Sequence, residues 1–191
     1  RMCIRDSTKP DYTLGVIHIV RDPRNVITSI KNHFDFESYE KAFQYMVSKD
    51  AFLKGEDSAR FSFLGTWSSH YKSWMSINPQ RRISIKYEDM ESNTYDTFKR
   101  VISYTNRILG IKKDINNDKL LKAISSTSFE KLSLGEKEGK FKENVFNNNN
   151  EKIKFFNMGP INKWENVIPK DIAHKMNNYY KYKLKERLTY C

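Results

Sequence analysis

Cysteine is nearly absent: two in 191 residues, Cys3 and Cys191 at opposite ends, which excludes a disulfide scaffold and points to a reducing compartment. The cytoplasm is the expected location. No run of about 18 apolar residues occurs, so no bilayer-spanning helix and no membrane partner are expected. No charged-then-apolar leader precedes the first apolar run, so no secretory signal is read. Gly-Ser linkers, internal repeats and heptads are missing too, and the length fits one domain of roughly 100–200 residues. There is no G-x-x-x-x-G-K-[ST], no H-E-x-x-H and no Cys or His cluster at metal-ligand spacing, so no metal is expected.

What is there begins with aromatics. Twelve Phe, 11 Tyr and 3 Trp can bury large apolar areas, which excludes a chain disordered throughout. Lys and Arg number 34 against 23 Asp and Glu, a formal charge of +11. Residues 1–111 hold 17 basic and 13 acidic side chains, and residues 112–191 hold 17 and 10, so the excess is spread rather than blocked. Such a surface attracts phosphates and polyanions without naming them. Its even spread, with no basic cluster interleaved with aromatics, counts against nucleic acid as a partner. A non-catalytic basic module binding nucleic acid or a partner protein remains the alternative reading, beside a plain solvated Lys-rich surface.

Residues 1–11 carry no pattern and resemble translated adapter sequence, so they are read as a non-native or disordered start to a single domain over 12–191. Leu14 to Val20 is a continuous apolar run rich in β-branched residues, the signature of a strand buried on both faces in a parallel sheet. Arg21-Asp22-Pro23 follows, with Asp22 as a helix cap and Pro23 at the first helical position. Val26, Ile27 and Ile30 give that helix its apolar face. The stretch 35–64 reads as loops with a short helix around Tyr39 to Val47. Trp67, Tyr71, Trp74 and Met75 are spaced for a helix that Asn78-Pro79 ends. A second strand, Arg82 to Lys86, runs into Tyr87-Glu88-Asp89. Helices are predicted over Tyr95 to Ile108, stopped by Gly110, over Asp118 to Ser125, and from Lys170 on Ile172, Met176, Tyr179, Tyr180, Leu184 and Leu188. Asn144 to Asn150 reads as a surface loop. The four histidines, His18, His33, His70 and His174, show no positioned acid partner, and packing or solvent accounts for them.

Four blocks stand out in order: Ile17 to Ile30 (IHIVRDPRNVITSI), Ile85 to Met90 (IKYEDM), Ser126 to Leu132 (STSFEKL) and Met158 to Asn166 (MGPINKWEN). Together they resemble the cytosolic-type sulfotransferases, which move a sulfuryl group from 3′-phosphoadenosine 5′-phosphosulfate (PAPS) to a hydroxyl or amine. The resemblance implies an α/β fold, a P-loop NTPase-like parallel sheet flanked by helices, left incomplete here because the amino-terminal strand and phosphate loop are missing. It also implies an Arg closing a strand and a Ser eight positions on as the 3′-phosphate ligands, which fall on Arg21 and Ser29. A guanidinium fork, a hydroxyl and a helix start suit a phosphate. The competing account is that Arg21 merely pairs with Asp22 or Glu88. By the same resemblance Tyr87, Thr127 and Phe129 contact the adenine, and Gly159 closes over the 3′-phosphate. The Gly65 to Trp74 block also follows the family pattern, mostly as packing.

The departures are specific. Where the family has Arg-Lys-Gly, this chain has Asn157-Met158-Gly159, and one lost charge-assisted contact to phosphate costs roughly 1.5–3 kcal/mol. Lys154 and Lys163 are the candidates to substitute. The family's dimerisation signature would fall on Glu165, Pro169-Lys170 and His174 and does not match, so no dimer is expected by that route. The family's catalytic His and phosphate-loop Lys lie upstream of Arg21 by more residues than the chain provides, and His18 sits in the strand itself. This fragment is therefore expected to bind nucleotide and turn over nothing. The acceptor, a small molecule or a glycan or peptide, is not readable from loops such as 35–64.

Overall fold

The computed structural model describes residues 13–54, 61–141, 145–147, 149 and 151–188. The reading of residues 1–11 as a non-native or disordered start lies outside them. Strand β1 (Val16–Val20) leads through Asp22 into α1 (Pro23–His33), and the Asp22 carboxylate accepts the Arg24 amide as the cap. Then come α2 (Tyr39–Val47), the hairpin β2 (Phe52–Lys54) and β3 (Phe61–Phe63), and α3 (Trp67–Met75), capped by Thr66. A short 3-10 turn at Pro79–Arg81 leads into β4 (Arg82–Lys86), α4 (Tyr87–Ser92) and α5 (Thr94–Leu109). Gly110 stops α5 at φ +68°, a left-handed conformation that glycine adopts without steric cost. The rest is α6 (Asn117–Ser126), α7 (Phe129–Lys137), β5 (Val145–Phe146), β6 (Lys152–Ile153), α8 (Trp164–Val167) and α9 (Lys170–Leu188). The fold is mixed α/β, helix-rich, with a small parallel sheet.

In that sheet β1 and β4 lie side by side, Val16 opposite Arg82 and Val20 opposite Lys86, so both strands end at the same edge. The crossover between parallel strands is long, as it must be, and runs through α1, α2, the hairpin and α3. The main core lies to one side of it, where Ile27 and Ile30 of α1, Ala42, Phe43 and Met46 of α2, and Ile168, Ile172, Met176 and Tyr180 around α9 pack together. Lys175 of α9 also pairs with Glu40 of α2 at 2.7 Å. The side chains of Leu184 and Leu188 lie outside the described residues.

Three expectations are corrected. The first strand is not buried on both faces: His18 stacks against Tyr71 and Trp74 of α3, but Ile17 is 47% exposed and Ile19 51%. That side of β1 is about half open, although its neighbour Ile85, paired with Ile19, is buried. Residues 35–64 hold a hairpin besides the helix, since Phe52 to Lys54 pair antiparallel with Phe61 to Phe63. The Asn-rich stretch is likewise a hairpin, β5 paired with β6, in which the Asn147 side-chain oxygen accepts the Asn149 and Glu151 amides. Asn side chains that bond backbone two residues on stabilise such tight turns.

Candidate functional site

Because β1 and β4 end together, the next residue of each strand falls at the same place. The Arg21 guanidinium lies over the Tyr87 ring, 4.1 Å from its centroid. This cation–π contact holds the long side chain flat while leaving its N–H groups to seek an acceptor. The Nε of Arg21 is buried and has no partner among the described residues. The two acids nearest in sequence are spent elsewhere. Asp22 forms a two-pronged ion pair with Arg24, its shortest contact 2.6 Å, and Glu88 accepts the Asp22 amide at 3.5 Å. No ion pair among the described residues joins Arg21 to either. A buried polar atom without a partner is uncommon enough to call for a ligand or a water.

Ser29 lies two turns into α1, exposed, about 9 Å along the axis from Pro23. The structure puts it in no hydrogen bond with Arg21. Its helical neighbours are Asn25 and Asn32, four residues before and three after, on the same face. Each holds a distant segment. The Asn32 amide donates to the Lys154 carbonyl at 3.2 Å. The buried Asn25 takes the Asn162 amide on its backbone carbonyl at 2.9 Å and the Trp164 N–H on its side-chain oxygen at 2.8 Å. The chain from Lys154 to Asn162 thus crosses the α1 face that carries Ser29. Arg24 seals one end, bonding Asn177 and lying 4.1 Å over the Trp164 ring.

Phe129 opens α7, where Ser128 is the cap, and its ring lies against the α-carbon of Gly159, so a Cβ there would collide with it. Gly159 has φ +54°, a second reason for glycine at that position. Phe156, Phe155 and Phe141 continue the cluster edge to face. Thr127 closes α6, its hydroxyl donating to the Ala123 carbonyl at 2.9 Å, which leaves its lone pairs free to accept. The structure thus brings Arg21 to Tyr87 and Phe129 to Gly159, and Asn162 and Trp164 tie the segment after Gly159 to the first turn of α1. Of the two candidate substitute cations, Lys163 is engaged with Glu91 at 3.3 Å. Lys154 is exposed and is held by its carbonyl.

The sequence reading had no role for Asn25, Asn162 or Glu136. Asn25 follows a Pro-led helix start, where a polar residue ordinarily faces water. Glu136 stands among lysines in the Lys131 to Lys140 stretch and looks like one more solvated acid. The Gly65 to Trp74 block does pack: Trp74 donates from its indole to Nε2 of His70 at 3.0 Å. Among the described residues no group of three or more His, Cys, Asp or Glu is arranged to hold a metal ion, and no helix is long and apolar enough to cross a membrane. An open groove of about 610 Å³ lies away from the site, between α5 and α6, lined by Lys99, Arg107, Lys112 and Lys113 among others.

No curated protein matches the sequence significantly. Solved structures do resemble the fold. A mouse sulfotransferase, SULT7A1, complexed with PAP, superposes with a TM-score of 0.63 at 18% identity, covering 92% of this chain and 59% of that one. Retinol dehydratase with androsterone and inactive cofactor PAP gives 0.60 at 14% identity, covering 90% and 47%. The same enzyme with retinol and PAP gives 0.60 at 14%, covering 90% and 48%. The chain thus spans about half to three-fifths of the length of these structures. The profile of the sulfotransferase domain matches residues 11–187, nearly the whole sequence, and the chain belongs to that family.

Proposed function

We propose that this chain carries the nucleotide-recognition part of an enzyme that transfers a sulfuryl group from PAPS to a hydroxyl or amine on a small molecule, glycan or peptide. The observation that carries the reading is the Arg21 guanidinium, stacked on Tyr87 where β1 and β4 end, with its buried Nε unpartnered. In this role Arg21 pairs with the 3′-phosphate of the donor and Ser29 adds a hydroxyl donor. Tyr87 and Phe129 offer ring faces to the adenine, Thr127 reads its edge, and the Gly159 amide closes over the phosphate. The transfer itself breaks the bond from sulfur to the donor's bridging oxygen and forms one to the acceptor. The acceptor proton passes to a base, and 3′,5′-bisphosphoadenosine (PAP) leaves. Residues 1–191 contain no match for the base or the phosphate-loop Lys that this chemistry calls for, so binding without turnover is expected of the chain as it stands.

Titration of the 191-residue chain with 3′,5′-bisphosphoadenosine in a calorimeter tests the reading. Saturable heat is expected, and Arg21→Ala should weaken binding roughly ten- to hundredfold, the loss of one charge-assisted contact worth about 1.5–3 kcal/mol. Equal affinities for the two proteins would remove Arg21 from the site.

A further inference from the structure

Among the described residues Glu136 is the only charged side chain that is buried, at 6% exposure. Its carboxylate receives two consecutive backbone amides from a segment about twenty residues away. Oε1 accepts the Phe155 N–H at 2.6 Å and Oε2 accepts the Phe156 N–H at 2.9 Å. Charge-assisted bonds to both oxygens offset the cost of withdrawing the carboxylate from water and fix the backbone direction of residues 155–156.

The same helix grips that segment twice. Phe129, Ser133 and Glu136 follow the i, i+4, i+7 spacing and share one face of α7. Ser133 is buried like Glu136, and the Phe129 ring lies on Gly159. Between the two grips stand Asn157 and Met158. Met158 has right-handed helical angles (φ −99°, ψ −29°) and Gly159 follows at φ +54°. Gly159 and Pro160 form the centre of a tight turn, closed by the Ile161 N–H donating to the Met158 carbonyl at 3.3 Å. The Met158 and Gly159 amides make no backbone hydrogen bond among the described residues. The side-chain cations that the family carries at 157 and 158 are absent, and the two backbone donors have no carbonyl partner among the described residues.

We propose that Glu136 is a positioning residue for phosphate recognition: by clamping the Phe155 and Phe156 amides it presents the Met158 and Gly159 amides to the 3′-phosphate, in place of the missing cations. The proposal rests on the reading of this site as a PAPS site. Both carboxylate oxygens of Glu136 are taken up by backbone donors, which offsets the charge of a buried acid in this part of the fold.

The test compares two nucleotides on the full 191-residue chain, 3′,5′-bisphosphoadenosine and adenosine 5′-monophosphate, by calorimetry with wild type, Glu136→Gln and Arg21→Ala. In Glu136→Gln an amide group meets one of the two N–H donors, so the clamp is broken at nearly constant volume. The expected result is about a tenfold loss of affinity for the bisphosphate with the monophosphate unchanged within about twofold, a collapse of 3′-phosphate preference. Equal losses for both nucleotides would assign Glu136 to general stability and overturn the proposal. So would an undiminished preference in Glu136→Gln while Arg21→Ala loses it. If Arg21→Ala also binds like wild type, the site reading itself falls. Should Glu136→Gln not fold by circular dichroism, Glu136→Asp, which keeps the charge but withdraws the oxygens by one methylene, decides the matter on the same criteria.

Discussion

His18, three residues before Arg21 on β1, faces α3 with its ring 5.6 Å from Tyr71 and 6.3 Å from Trp74, and its Nδ1 is buried without a partner. Burial pushes its pKa down to about 4, and the neighbouring His70 and the Arg82 cation oppose its protonation further. The ring is thus neutral in the folded protein over a range where the unfolded chain, at an ordinary value near 6.5, takes up a proton. Between about pH 6.5 and pH 4 the unfolded state binds more protons, so stability is full above that window and falls as pH drops through it. Burial lowers the pKa of His33 as well, adding in the same direction. Thermal unfolding followed from pH 7 to pH 4 should show Tm declining across this window, with a shallower slope in His18→Phe, which keeps a ring in the stack and removes the titration. A variant slope as steep as wild type would place the acid sensitivity elsewhere.

At the scale of elements, Asn25 is one of the side chains that tie α1 to the chain's far end. Asn25 is 8% exposed, and its oxygen takes the Trp164 N–H that would otherwise begin α8 unpaired. Asn25→Ala leaves that donor without a partner in a half-buried place, a cost of roughly 1–3 kcal/mol. The expected outcome is a lower urea midpoint together with faster amide exchange localised at Trp164 and its neighbours. A global loss with no local change at Trp164 would contradict this account. Which elements were legible in the sequence follows from the kind of signal each one carries. β4 was read to the residue and α1 from its cap, because Asp22-Pro23 and the alternation of Ile83 and Ile85 are local chemistry. The hairpins were missed because strands of two or three residues are too short to show a period, and their pairing is a contact across sequence. α7 was missed although Ser128 caps it, since STSFEKL was read for its ring and hydroxyl rather than as a helix start. Arg21 and Tyr87 were singled out by the family resemblance, and the two strands they follow, legible as apolar runs, bring them together. Glu136 and Asn25 were not singled out, because what makes them matter is the far segment each one holds.

For the molecule as a whole, the sheet is covered unevenly. Ile85 is 3% exposed while Ile19, its partner across the ladder, is 51% exposed and Ile17 47%. Two adjacent β-branched side chains on an open sheet face, next to a β1 edge that no described strand pairs, form an association-prone surface. The net charge of +11 works against self-association through mutual repulsion, and salt screens that repulsion over about 8 Å at 0.15 M. The purified chain should therefore stay dispersed at low ionic strength and associate as salt rises, opposite to the behaviour of a protein whose contacts are ionic. Ile17→Thr combined with Ile19→Thr keeps the β-branched shape that suits a strand and removes the apolar surface. Light scattering across a salt series should show the double variant monomeric where wild type associates, with Tm changed little because neither side chain is buried. Salt-driven association undiminished in the double variant would locate the sticky surface elsewhere, with the exposed Phe52 and Phe63 of the β2–β3 hairpin next to be changed.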